Sequence, residues 1–119
     1  MQLDPTFIQS AQTVLNLREQ RQGLIAANMS NSDTPGYKAM DINFKSAVSD
    51  ALKSGTVQTS AKPDFVADYP VSLDGNDVSP TMEKLESLKN VGAMNAEVTF
   101  LHQSTTDLIT ALRPNPSGT

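Results

Sequence analysis

The 119-residue chain carries a single histidine, His102, and no cysteine, which removes thiolate metal sites, disulfides and cysteine nucleophiles from consideration. One helical turn on either side of His102 stand Val98 and Thr106. Neither is a carboxylate that could orient the imidazole and share its proton, so a polar residue on a solvated or intersubunit helix face is the simpler reading. Two acid pairs, Asp74 with Asp77 and Glu83 with Glu86, have spacings at which carboxylates share a proton or a cation. The first pair falls in the turn-forming string Asp74-Gly75-Asn76-Asp77, and the second suits the opening of a helix, whose dipole favours acids. Asp74, Asn76 and Ser79 loosely follow a calcium-loop spacing but lack the glycine-centred, glutamate-ended twelve-residue frame. No Ser-His-Asp order, phosphate-cradling glycine loop or Cys/His cluster occurs. The expectation is therefore a non-enzyme without catalytic, cofactor-binding or metal-ligating residues.

The elements that would position any such residues are clearer. From about Pro5 to Met29, Phe7, Ile8, Ala11, Val14, Leu15, Leu24 and Ile25 recur at three- and four-residue steps, which predicts a helix on the order of 35 Å long. Asp4 before Pro5 fits an N-cap and first-turn pair. Near the other end, Val91, Met94, Val98, Leu101, Thr105, Leu108 and Leu112 alternate by three and four, the seam of a helix that packs nearly parallel to a partner. Ser79 before Pro80 marks its start, and Arg113 before Pro114 its stop. Met82 and Met94 read as adaptable packing on this face, and the Gln9, Gln12, Gln20 and Gln22 amides as solvated or hydrogen-bonded between neighbours. Residues 34–78 are rich in Pro, Gly, Asp and Ser. A short helical pattern crosses Phe44, Val48 and Leu52, and weak strands are placed near Thr56 to Thr59 and Phe65 to Val71.

The fold class is thus mainly α: long N- and C-terminal helices (1–33 and 79–113) paired as a coiled-coil-like domain, a loop-rich middle (34–78) and a mobile tail (114–119). With 38% hydrophobic residues and no Trp, the core should be thin. Two helices alone leave much of both apolar stripes wet, and stripes of this kind mark surfaces meant for partners. The residues expected to carry packing and assembly are Ile8, Ala11, Leu15, Ile25, Val91, Met94, Val98, Leu101, Leu108 and Leu112. A formal charge of -4 without Lys/Arg runs argues against nucleic acid and anionic membranes. No stretch is long and apolar enough to span a bilayer, and no leader pattern is read at the N-terminus, which by the usual routes keeps a protein in the cytoplasm.

One segment is specific. In Asn28-Met29-Ser30-Asn31-Ser32-Asp33-Thr34-Pro35-Gly36-Tyr37-Lys38, two Asn three residues apart end a helix and a Thr-Pro-Gly turn follows. Asn28 and Asn31 share a helical face, where amides can satisfy the free carbonyls of the last turn. Pro35 presets one turn angle and Gly36 supplies a positive one, and Tyr37 can lay its ring on the helix end with its hydroxyl in a polar contact. Taken alone, this is a helix C-terminus with a turn. As a whole string (Asn28, Asn31, Thr34, Pro35, Gly36, Tyr37) it resembles the signature of the bacterial flagellar axial proteins, the rod, hook and hook-associated subunits. Within that family the short length, the Leu15 to Gln22 stretch, Lys38 to Phe44 and Asp74 to Val78 resemble proximal rod subunits. Asn95-Ala96-Glu97-Val98 departs from the Arg-Tyr-Gln run expected there, and the Pro-containing tail extends past the usual helical end.

The resemblance implies a structural subunit whose terminal helices pair and pack with neighbours into a tube around an export channel, the middle segment ordering on assembly. The implied partners are copies of itself, other rod proteins, the ring-to-rod adapter and the type III export gate. The implied address is the basal body within the periplasm, reached by type III export. Phe44-Lys45-Ser46-Ala47-Val48 resembles the Phe-Xaa-Xaa-Xaa-hydrophobic gate-recognition motif, and reads equally as a short amphipathic helix. Rival readings are another proximal rod subunit, or a free-standing helical adaptor or secretion-chaperone-like module.

Overall fold

The computed structural model describes residues 5–67 and 69–114. Three helices account for most of them: α1 (Pro5–Ser30), α2 (Phe44–Ser54) and α3 (Pro80–Leu112). Two-residue strands β1 (Met40–Asp41) and β2 (Asp64–Phe65) pair antiparallel, Met40 opposite Phe65. The mainly α fold with long terminal helices is the one the periodicity predicts. Asp4 and residues 115–119, where a cap and a mobile tail are expected, lie outside the described residues.

Each helix starts and stops for local reasons. Ser79 Oγ accepts from Met82 N at 3.3 Å and Pro80 occupies the first turn, so α3 opens with a capped amide and a residue that has none to cap. At its other end Arg113 is extended (φ -72, ψ 132), as a residue before proline prefers. Helix α2 is capped by Asn43, whose Oδ1 accepts from Ser46 N at 3.1 Å, and stops at Gly55 with φ 69, a left-handed C-terminal residue.

The molecule is a thin slab of 74 × 29 × 17 Å with a radius of gyration of 19.2 Å, against about 13 Å for a compact domain of this length. A thickness of 17 Å leaves room for little more than two layers of side chains. Accordingly the buried apolar set among the described residues is only Leu17, Ile25, Ala39, Ile42 and Ala51.

The middle segment runs along α1 and is fastened to it by side-chain amides. Asn16 Nδ2 donates to Gln58 O at 3.1 Å and Gln58 N donates to Thr13 Oγ1 at 3.0 Å. Gln20 donates to Ala61 O and accepts from Ala61 N, both at 2.7 Å. This explains why no strand forms at Thr56 to Thr59: the backbone groups a sheet would use are taken by helix side chains. The second expected strand shrinks to Asp64–Phe65, and its partner at Met40–Asp41 carries no alternating pattern long enough to read.

Candidate assembly surface and the helix-end motif

Asn28 is 1% exposed and uses its whole hydrogen-bonding capacity. Its Nδ2 donates to Met40 O (2.9 Å) and Glu83 Oε1 (3.0 Å), while its Oδ1 accepts from Met40 N (3.0 Å) and the Tyr37 hydroxyl (3.3 Å). The amide therefore pairs with both backbone groups of Met40, as a neighbouring strand would, and ties α1 to α3. The expectation that Asn28 satisfies its own helix's carbonyls is corrected here: the chain turns back so closely that Met40 offers a better-matched donor and acceptor. Asn31 does perform that role, donating to Ala27 O at 2.8 Å and accepting from Thr34 Oγ1 at 3.0 Å.

The turn after it is hydrogen-bonded from Tyr37 N to Thr34 O at 3.2 Å, with Pro35 second and Gly36 third at φ 75, the arrangement that calls for Pro and Gly in that order. A second turn docks against it. Gly36 N donates to Asp74 O (2.9 Å), Lys38 Nζ to Gly75 O (2.6 Å), and Asn76 Nδ2 to Asn31 O (2.8 Å) and Thr34 O (2.7 Å). A Cβ on Gly75 (φ 83) would lie 3.4 Å from Gly36 Cα. Asp77 accepts from Ala39 N at 2.6 Å, and Asp74 accepts from Asn76 N at 3.0 Å and from the Ser72 hydroxyl. The Ser72 hydrogen bond, more than any other contact, holds the Asp74 carboxyl below its ordinary pKa. Asp74, Asn76 and Asp77 thus hold loops together, and their part in the motif was visible in the sequence only as a turn.

Between α1 and α3 the contact is polar at a seven-residue repeat. Glu83, Asn90 and Ser104 are buried, and Glu97, half-buried, completes the spacing. Arg18 Nε meets Glu97 Oε1 at 3.1 Å. Asn90, fully buried, donates to Arg18 O (2.9 Å) and Gln22 Oε1 (3.0 Å), and Gln22 donates to Ser87 Oγ (2.8 Å). Arg21 bridges Asp41 (2.9 Å) and Glu86 (3.1 Å). Burial works against the Arg21 charge, but the Asp41 and Glu86 carboxylates prevail and raise its pKa. Burial raises the Glu83 pKa, assisted by Asp41 and Glu86, against the lowering effect of the Asn28 hydrogen bond. Burial, then the neighbouring Glu83 and Glu86, pushes the Tyr69 hydroxyl up to about 12.

This polar repeat displaces half of the expected apolar seam. Met94, Leu101 and Leu108 are half-buried. Val91, Val98 and Leu112 are 40%, 49% and 74% exposed; the inward places expected for Val91, Val98 and Thr105 are taken one residue earlier by Asn90, Glu97 and Ser104. The reason is that Arg18, Gln22 and Asn28 on α1 would be desolvated without partners if Val and Leu faced them. On α1, Ile25 is buried, Ala11 and Leu15 are half-buried, and Ile8 is exposed. A groove of about 330 Å³ lies between the helix ends, lined by Phe7, Ala11, Val14, Leu15, Phe100 and Leu101 together with Glu97.

Phe44 and Val48 are half-buried in α2, and the Arg18 guanidinium stacks 3.9 Å over the Phe44 ring, a cation–π contact that fixes α2 on α1. His102 is exposed. Among the described residues, no three His, Cys, Asp or Glu side chains are grouped to hold a metal ion, and no helix is long and apolar enough to cross a membrane.

A long helical hairpin with its motif at the bend, a thin core and apolar side chains left outside defines a structural subunit of elongated shape. Residues 8–38, which are α1 and the turn after it, match the family model described as flagella basal body rod protein. The chain is 33% identical over 112 residues to the flagellar basal body rod protein FlgB of Cereibacter sphaeroides, covering 83% of this chain and 88% of that one. It is 34% identical over 112 residues to the FlgB of Yersinia ruckeri, with 76% and 81% covered. Against the FlgB of Escherichia coli (strain K12) it is 51% identical over 49 residues, 41% of this chain and 36% of that one. The chain belongs to the flagellar basal-body rod protein family. It is a structural subunit of the proximal rod of the flagellar basal body, where such subunits assemble with other axial proteins.

Proposed function

We propose that the chain forms part of the rod within the periplasm after type III export, joining copies of itself, other proximal rod proteins and the ring-to-rod adapter. The N-terminal segment 1–33, which contains α1, and the C-terminal segment 79–113, which contains α3, form the axial core, with 34–78 as the loop-rich segment between them. No catalytic step is involved. The observation carrying this reading is the row of outward apolar side chains on α3, with Leu88 at 73% exposure and Leu112 at 74%. Burial between subunits returns roughly 25 cal/mol for each Å² of such surface. Ala11, Leu15, Ile25, Met94, Leu101 and Leu108 close the hairpin, while Ile8, Val91, Val98 and Leu112 face neighbours.

Phe44 and Val48 are held against α1 in the folded chain, so recognition by the export gate acts on the chain before the hairpin closes. The motif Asn28, Asn31, Thr34, Pro35, Gly36 and Tyr37 acts as the clasp at the bend. A density map of isolated basal bodies is the test: this chain should trace as paired helices in the rod next to the membrane ring. Basal bodies with a complete rod in a strain lacking the gene overturn the reading.

A further inference from the structure

A buried carboxylate oxygen without a partner and an exposed ammonium, set apart along α3, fit each other. Glu97 lines the apolar groove at the Phe7 and Phe100 end, and its Oε2 is buried with no hydrogen-bond partner, while Oε1 is taken by Arg18. A carboxylate oxygen shielded from water in this way calls for a donor from outside the chain. On α3, Lys84 is exposed and makes no ion pair among the described residues. Leu88 and Val91 follow it at i+4 and i+7, which puts the three on one helical face, and both apolar residues are exposed. This face offers one cation followed by two apolar knobs. The groove offers one buried acceptor among Ala11, Val14, Leu15, Phe100 and Leu101.

We propose that the groove of one copy receives the Lys84, Leu88 and Val91 face of a second copy, with the Lys84 ammonium donating to Glu97 Oε2. The proposal rests on the reading that the chain assembles with copies of itself, and it names the surface. Lys84 and Glu97 stand thirteen residues apart on α3, roughly 20 Å along the axis. One molecule cannot close the pair on itself. Because donor and acceptor are different patches, the contact is head-to-tail and leaves each copy with one patch free for the next.

The absence of cysteine makes the contact readable by cross-linking. Ala11→Cys and Leu88→Cys are introduced together in the chain's own bacterium, and isolated basal bodies are oxidised. A disulfide needs Cα atoms within about 7 Å. The expected result is a ladder of dimers and higher multimers from the double variant, and monomer from each single variant. In the double background, Lys84→Glu cuts the ladder at least tenfold, whereas Lys84→Arg preserves it. If the double variant does not assemble, the two single variants produced together in one cell report the same contact as a dimer. Swimming cells whose basal bodies contain the chain but show no cross-link overturn the proposal while leaving the rod function standing. Dimers from Leu88→Cys alone, or a ladder indifferent to Lys84→Glu, overturn it equally. Absence of the parent chain from basal bodies overturns the rod function and this proposal with it.

Discussion

At the scale of single residues, Asn28 joins three parts of the chain through one side chain, because Met40, Tyr37 and Glu83 all hydrogen-bond to it. Asn28→Ala leaves the Met40 backbone groups without their side-chain partner and takes from buried Glu83 one hydrogen bond, Tyr69 supplying another, at about 3 kcal/mol. A rod subunit carrying it should incorporate poorly, and the swimming halo in soft agar should shrink to the non-motile size. Glu83 gives a pH signature. Its folded-state pKa is raised above the ordinary 4.5, so its contribution to the hairpin is fully present below that value and is lost as pH rises through the raised one. Asp74 works in the other direction, its lowered pKa adding stability above the ordinary 3.8 that is lost on further acidification. Helicity of the isolated chain should therefore rise as pH falls from 7 toward 4.5. In Glu83→Gln, which keeps an acceptor for Asn28, helicity at pH 7 should match the acid value of the parent chain. A Glu83→Gln protein less helical than its parent at pH 7 contradicts this. The sequence displayed Asn28, Asn31 and the Thr-Pro-Gly turn as a motif, because their spacing is local. It did not display Asn76 or Asp77 as parts of the same cluster, since only the returning chain brings them there.

At the scale of elements, both long helices were legible from their periodicity and caps, and Ser79 and Pro80 open α3 where the cap-and-proline pattern puts its start. The rotation of α3 was not legible. Two seven-residue repeats run side by side on this helix, Val91, Val98 and Leu112 on one and Glu83, Asn90, Glu97 and Ser104 on the other. Hydrophobicity favours the first as the inner seam. The structure turns the second inward because α1 presents Arg18, Gln22 and Asn28, and that choice depends on a partner 55 to 79 residues away. Met94, Leu101 and Leu108 face inward under either choice. Leu101→Asp or Leu108→Asp should accordingly abolish motility by placing a charge in a half-buried apolar contact, whereas His102→Ala, at an exposed position, should swim normally. A motile Leu101→Asp strain, scored beside Leu101→Ala for expression, speaks against the packing described here.

At the scale of the whole molecule, the five buried apolar residues among those described, two of them alanines, in a slab 17 Å thick provide little to offset the ordering entropy of more than a hundred residues. The purified chain should show weak helical circular dichroism alone and gain helix when mixed with its rod partners. A sharply melting, monodisperse, fully helical monomer instead fits a free-standing adaptor. The polar repeat between α1 and α3 also bears on how such a slender hairpin keeps its register. A seam of identical leucines can slide by one heptad and meet the same surface again. Here a slide of seven residues parts Arg18 from Glu97, Gln22 from Asn90 and Asn28 from Glu83 in one movement, and each separation strands a shielded polar group. The teeth of this hairpin are all different, so shear along its axis meets a stop before a new register is reached.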